Sequence, residues 1–338
     1  MATSLRDVAT RAGVSVKTVS NVVNGYEHVS VATRERVQRV LDELNYRPNL
    51  SARNLRNRRS GIVALALPEL DLPYFAELTR CVIKAAEARS WTVLIDQTDG
   101  LPERESIVLQ GIRDQLIDGL IFSPLASSRE QITDRLDDTP MVLLGELVAE
   151  GSADHVVIDN VLAARQATDH LIGLGRRRIA AIGDQARSDL GTAPLRLAGY
   201  REALATAGIP YDRRLVMPAA SYHRADGAEA MRRLLELEDP PDAVFCFTDL
   251  LALGALRTLL SRDIAVPEQI AIVGFDDIED GRFSTPTLTT IAPDKDELAR
   301  VAVELLASRI AGEPQAPPRE VQAAHRLVVR ESTVGRHG

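Results

Sequence analysis

The sequence predicts two units of different class. The first is a small all-α helix-turn-helix unit followed by a hinge helix. The second is a large α/β body, a doubly wound parallel sheet in two similar lobes. Three observations carry this. The stretch "LRDVATRAGVSVKTVSNVVNG" holds two short amphipathic runs broken at Gly13. Charge is divided unevenly: residues 1–60 hold eleven Lys/Arg against five Asp/Glu, and the remainder twenty-nine against forty-three, although the whole chain sums to −8. From Gly61 onward, short apolar runs alternate with amphipathic segments for more than two hundred residues. A basic arm on an acidic body points to a unit that meets nucleic acid and a separate body that does not.

In chain order, Ser4 can cap the first helix, with Asp7 three positions on as a shortened capping box. Leu5, Val8, Ala9 and Ala12 recur at helical spacing. Gly13 permits the turn and Ser15 caps the next helix. Ser30 opens a third, where Val37, Val40, Leu41 and Leu44 form one stripe. Helices so arranged place the second in the DNA major groove. Val19, Val22 and Val23 would hold that helix to its neighbours. Val16, Lys17 and Asn21 would be free to read base edges: lysine suits guanine O6/N7, asparagine suits adenine N6/N7, and valine a thymine methyl. Ser15, Thr18 and Ser20 suit phosphates. In "NLSARNLRNRRS", Asn49 can cap a helix over 50–56 that is too short to stand alone in water. Arg53, Arg56, Arg58 and Arg59 suit phosphates, and Leu55 is placed to wedge into a minor-groove step.

In the body, Ile62–Leu67, Trp91–Ile95, Gly119–Phe122, Met141–Leu144, Arg178–Ile182, Ala243–Phe247 and Ile270–Phe275 read as buried parallel strands. Ligands of such sheets sit beyond the C-terminal strand ends. There stand Glu69, Asp71, Tyr74 and Phe75, then Asp96, Ser123, Asp159, Thr248–Asp249 and Asp276–Asp277, with Arg196 opening a later helix. Each alone could be a helix cap or a strand-end turn, and Asp249 can cap "LLALGAL". As a set, carboxylates, an arginine and aromatic faces favour a hydroxyl-rich ligand.

Enzyme classes find no support: there is no G-x-G-x-x-G after a strand, no G-x-x-x-x-G-K-[ST], no G-x-S-x-G and no H-E-x-x-H. Cys81 and Cys246 lie far apart in apolar stretches and read as buried free thiols of a reducing compartment. The six histidines are scattered, so neither a metal nor a cofactor is expected. No apolar run reaches the ~20 residues of a membrane helix, and the start carries no signal-peptide pattern.

The N-terminal motifs, with "VSVATRERVQRVLDELNYRPN" and "SARNLRNRRSGIVALALP", resemble the lactose-repressor (LacI/GalR) family of bacterial transcription regulators. The likeness continues through "PYFAEL", "DGLIFSP", "VVIDN", "HLIGLGRRRIAAIG", "RLAGYREAL", "VFCFTDLLALGAL", "VGFDDIED" and "PTLTTI". It implies lobes of the periplasmic-binding-protein type joined by crossing strands, with the effector in the cleft. It also implies a cytoplasmic repressor that binds a palindromic operator as a homodimer and is released by a small sugar-like effector. A purine- or nucleoside-responsive corepressor-type regulator, or an activator, is the alternative. Arg196 and Asp276 match the family's most regular effector contacts, and Thr248 departs from the asparagine of many sugar-binding members. Tyr74, Phe75 and Tyr222 resemble aromatic positions of the purine-repressor branch. The expected divisions are 1–46 for DNA binding, 47–59 for the hinge and 60–338 for the body. Its N-lobe would take about 60–160 and 292–320, and its C-lobe 161–291 and 321–331. The chain shows no leucine heptad after "HRLVVRESTVGRHG", which favours a dimer over a tail-built tetramer.

Overall fold

The computed structural model describes residues 4–23, 26, 28–44, 46, 59–111, 116–135, 138–145, 153–185, 191–312 and 317–335. The chain divides into two compact units, Met1–Ser60 and Gly61–Gly338. In the first, α1 (Leu5–Ala12) starts at a full capping box: the Asp7 amide donates to Ser4 Oγ, and the Ser4 amide to Asp7 Oδ2 at 2.8 Å. Gly13 ends it in the left-handed region at φ 65°, where a side chain would be strained. Ser15 receives the Thr18 amide at 3.1 Å and so opens α2 (Val16–Val23). Ser30 caps α3 (Val31–Glu43). Val8, Ala9, Ala12, Val19, Val22, Val37, Val40 and Leu41 close the core of this unit, with Leu5, Val23 and Leu44 packed around it.

The second unit holds two six-stranded sheets. The first lobe runs β1 (Ile62–Leu67), α4 (Pro73–Glu87), β2 (Thr92–Gln97), α5 (Pro102–Leu109), β3 (Gly119–Phe122), α6 (Arg129–Thr133), β4 (Met141–Leu144) and β5 (Asp154–Ile158). The second runs α7 (Asn160–Gly173), β6 (Ile179–Asp184), α8 (Thr192–Thr206), β7 (Val216–Pro218), α9 (Arg224–Leu234), β8 (Ala243–Cys246), α10 (Asp249–Leu260), β9 (Ala271–Phe275), α11 (Glu279–Arg282) and β10 (Thr289–Pro293). The chain then returns through α12 (Lys295–Ile310) and β11 (Glu320–Ala323), and ends in β12 (His325–Val328) and α13 (Glu331–Val334). Sheet order is β11-β5-β4-β3-β1-β2 in one lobe and β12-β10-β9-β8-β6-β7 in the other. Every pairing is parallel except β10 with β12. Parallel strands covered on both faces must be apolar throughout, and β3, β4, β8 and β9 are buried along their whole length.

The chain crosses between the lobes three times: at Asp159, at Asp294 and at Ala324. The expected boundary at 320/321 therefore moves, because β11 pairs with β5 along its whole length before the chain crosses. Likewise β10 belongs entirely to the second sheet, which moves the boundary expected at 291/292 to Asp294. The strand expected buried at 91–95 is an edge strand instead. β2 pairs only with β1, and its residues are half-buried or exposed. Strands β5, β7, β10, β11 and β12 escaped the apolar pattern because they are short or carry buried polar groups. In β5, Asp154 is fully enclosed and receives Arg309 at 2.7 and 2.8 Å and the Arg319 amide at 2.9 Å. Those bonds replace water, so the carboxylate can sit inside the lobe.

Candidate functional site

Two sites emerge, one in each unit. On α2, Val19, Ser20 and Val22 face inward, while Ser15, Val16 and Lys17 are exposed and Thr18 and Asn21 half-exposed. Ser20, expected as a phosphate contact, is instead 9% exposed. It neighbours Val19 on a two-turn helix whose inner face is nearly half its circumference. The Ser15 and Thr18 hydroxyls pair at 2.9 Å, so both brace the start of the helix. Val16, Lys17 and Asn21 remain outward, as a groove-reading surface requires. Asn49, Arg53 and Leu55 lie outside the described residues, as do Arg56 and Arg58.

In the body, a cavity of about 470 Å³ opens between the lobes, within the roughly 300–1,000 Å³ of small-molecule sites. Tyr74 and Phe75, at the start of α4, and Ser123, after β3, line it from one lobe; Arg196, Tyr222, Thr248 and Asp276 line it from the other. Seven of the eight expected effector residues thus meet in one space. The eighth, Asp159, is not among the lining residues: its carboxylate accepts the Leu162 amide at 2.8 Å and caps α7. A carboxylate at a strand-to-helix turn sits next to unpaired helix amides, and that demand captured it. Thr248, not Asp249, caps α10. Glu69, Asp99, Gln185, Thr192 and Ser221 also line the cavity. Asp99, Gln185 and Ser221 follow β2, β6 and β7; the sequence reading ends the first two strands two residues early and does not read β7, so it passes over all three.

Arg196 is 6% exposed and firmly held. Its Nε donates to Asn160 Oδ1 at 2.8 Å, Nη1 donates to the Phe247 carbonyl, and the guanidinium lies 3.6 Å over the Phe275 ring. Asp276 sits beyond β9 at φ 113°, a backbone region that side chains rarely adopt and that often marks a working site. Burial pushes its carboxyl up to about 7, although the charges of Arg196 and Lys295 pull it down. A fixed guanidinium and a carboxyl in one desolvated space can together take adjacent hydroxyls of a ligand. Behind them Asp249 is fully buried and receives the Thr290 hydroxyl at 2.6 Å and the Ile278 amide at 2.9 Å. Burial, then the nearby Asp276, raises its carboxyl well above the usual range. Asp277 points away to Arg330 and Arg282; although burial opposes it, those bonds keep its carboxyl low. It is a structural ion pair and does not line the cavity.

The neighbouring basic side chains are already engaged. His223 Nε2 lies 3.1 Å from Glu69, joining the lobes across the cleft. Lys295 binds Glu77, whose other oxygen accepts the Glu279 amide at 3.0 Å, a second bridge between lobes. Arg104 binds Asp99. Under the floor, Glu105 is fully buried and accepts the amides of Leu125, Ala126 and Ser127 and the Ser127 hydroxyl. It thereby fixes the loop that brings Pro124 and Leu125 to the cavity.

A helix-turn-helix reader joined in one chain to a two-lobed body with a ligand-sized cavity between its lobes defines a ligand-responsive DNA-binding regulator. Residues 4–49 match the model of bacterial regulatory proteins of the lacI family, and residues 168–333 match the periplasmic binding protein-like domain. The HTH-type transcriptional regulator CelR of Thermobifida fusca is 38% identical over 340 residues, covering 97% of this chain and 98% of the relative. A solved CelR–cellobiose complex matches at TM-score 0.70 and 35% identity, over 98% of this chain and 99% of that one. The lac repressor dimer bound to operator and the anti-inducer ONPF matches at TM-score 0.86 and 27% identity, over 99% and 100%. The chain belongs to the lacI family and is a transcription regulator rather than an enzyme. Among the described residues no helix is long and apolar enough to cross a membrane.

Proposed function

We infer that the chain is a cytoplasmic repressor that binds a palindromic operator as a homodimer and is released by a small sugar-like effector. The observation that carries this reading is the composition of the cavity: Arg196 and Asp276 from one lobe stand across it from Tyr74, Phe75 and Ser123 of the other. A ligand there touches both lobes at once. It therefore binds one lobe arrangement better than another, and that difference alone can move an equilibrium between DNA-binding and released forms. Two-fold symmetry of a dimer would be mirrored in the operator. The cellobiose seen in CelR and the operator-bound lac repressor dimer support the ligand class and the assembly.

The test uses the full chain on a labelled duplex selected from a random-sequence pool. Binding is followed by fluorescence anisotropy while cellobiose, ribose or another sugar is added. A sugar that binds should release the duplex. Arg196→Ala should keep operator affinity and lose the release, since removing a buried ligand partner costs roughly 1–3 kcal/mol or more. Release of Arg196→Ala with the wild-type midpoint would place the effector elsewhere. Tyr74, Phe75 and Tyr222 favour one second reading, a purine or nucleoside stacked on aromatic faces. Tighter operator binding with hypoxanthine or adenosine would establish that corepressor form.

A further inference from the structure

We propose that the effector is an uncharged polyhydroxylated molecule and that the cavity rejects phosphorylated and carboxylated ligands. This rests on the sugar reading above and narrows it. Among the described lining residues, Arg196 supplies the one full positive charge, against the acidic side chains of Glu69, Asp99 and Asp276. That guanidinium is not free to move toward an anion. Asn160 and the Phe247 carbonyl hold two of its edges and the Phe275 ring holds its face. Its charge already faces Asp276 in the same space, which lowers the Asp276 carboxyl against burial.

Among the described residues, the basic side chains just outside the lining do not supply what is missing. His223 is paired with Glu69, Arg104 with Asp99 and Lys295 with Glu77. A phosphate entering the cavity would have to share the Arg196 guanidinium with Asp276 beside further carboxylates, or break one of these pairs. Burying an uncompensated anion is among the costliest steps a site can be asked to take. A hydroxyl group meets no such obstacle. It donates to a carboxylate and accepts from the remaining guanidinium N–H groups, and apolar ring faces can lie on Tyr74 and Phe75. The arrangement also accounts for polar side chains that carry no charge, Ser123, Gln185, Thr192, Ser221 and Thr248, around the same space.

The experiment is isothermal titration of the full chain with matched pairs: glucose and glucose 6-phosphate, cellobiose and cellobiose 6-phosphate, trehalose and trehalose 6-phosphate, adenosine and AMP. In any pair that binds, the uncharged member should be at least ten times tighter. In Glu69→Gln/Asp99→Asn the phosphorylated member should gain more affinity than the uncharged one, because repulsion has been removed. A phosphorylated member that binds as well as or better than its uncharged partner overturns the proposal. If cellobiose, glucose and trehalose and their phosphates all fail while adenosine or AMP binds, the sugar reading itself falls. In that case the adenosine-to-AMP ratio alone decides whether charge exclusion stands.

Discussion

Lys17 is exposed on a helix whose other face is buried, so its ammonium is free to reach a guanine edge. Lys17→Ala should cost roughly 1–3 kcal/mol on the selected duplex and relax preference at one symmetric pair of base positions. Binding weakened equally on all sequences would make Lys17 a phosphate contact. Asp276 gives a pH signature. Its folded-state carboxyl lies near 7 and its unfolded value near 3.8, so between these the folded protein holds a proton that the unfolded chain has lost. Stability from this group is therefore full below about pH 4, falls as pH rises toward 7 and is flat above. Asp276→Asn should abolish that fall and be the more stable protein at pH 8, by on the order of a few kcal/mol. Thermal unfolding of both proteins from pH 5 to 8 checks it. A constant difference across that range would mean the carboxyl titrates normally.

At the scale of elements, the loop after β3 is held by a single side chain from α5. The Glu105 carboxylate takes three amides and a hydroxyl from residues 125–127 and is itself fully enclosed. Glu105→Gln turns one acceptor into a donor facing amides that also donate. The body should lose roughly 1–3 kcal/mol of stability in chemical denaturation, and affinity for a cavity ligand should fall with it. An unchanged denaturation midpoint would show that the loop holds without this carboxylate. Close helix packing constrains other positions. A Cβ on Gly227 would come within 2.1 Å of the Leu251 carbonyl, and one on Gly254 within 1.9 Å of the Arg224 carbonyl, so α9 and α10 meet backbone to backbone.

At the scale of the whole molecule, regulation needs the ligand state of the body to reach the DNA-reading unit. The sequence predicts that a helix over 50–56 forms only against DNA, since so short a helix is marginal in water and its arginines need phosphates to offset their ordering. Amide exchange should show those residues protected in the operator complex and unprotected in the free protein. Leu55→Ala should remove most specific affinity while leaving the body's unfolding unchanged. Strong protection without DNA would rule out coupled folding.

By itself the sequence determined the helix-turn-helix unit, the parallel α/β body and several of the polar and aromatic side chains that line the cavity. Caps such as Ser4, Ser15 and Ser30, the Gly13 turn and continuous apolar strands are local signals, readable without knowing what packs where. The likeness to a known family placed Tyr222, and pointed to Arg196 and Asp276 among the strand-end residues. Tertiary structure alone decided which polar groups were already taken. Asp159 went to a helix cap, Ser20 to the inner face of α2, and Asp277 to Arg330 and Arg282. The same holds for the crossing points at Asp294 and Ala324, and for Asp99 and Gln185 in the lining. A carboxylate looks the same in sequence whether it meets an amide, an arginine or an open cavity. Which it meets depends on partners tens to hundreds of residues away, and only folding brings them within hydrogen-bond reach.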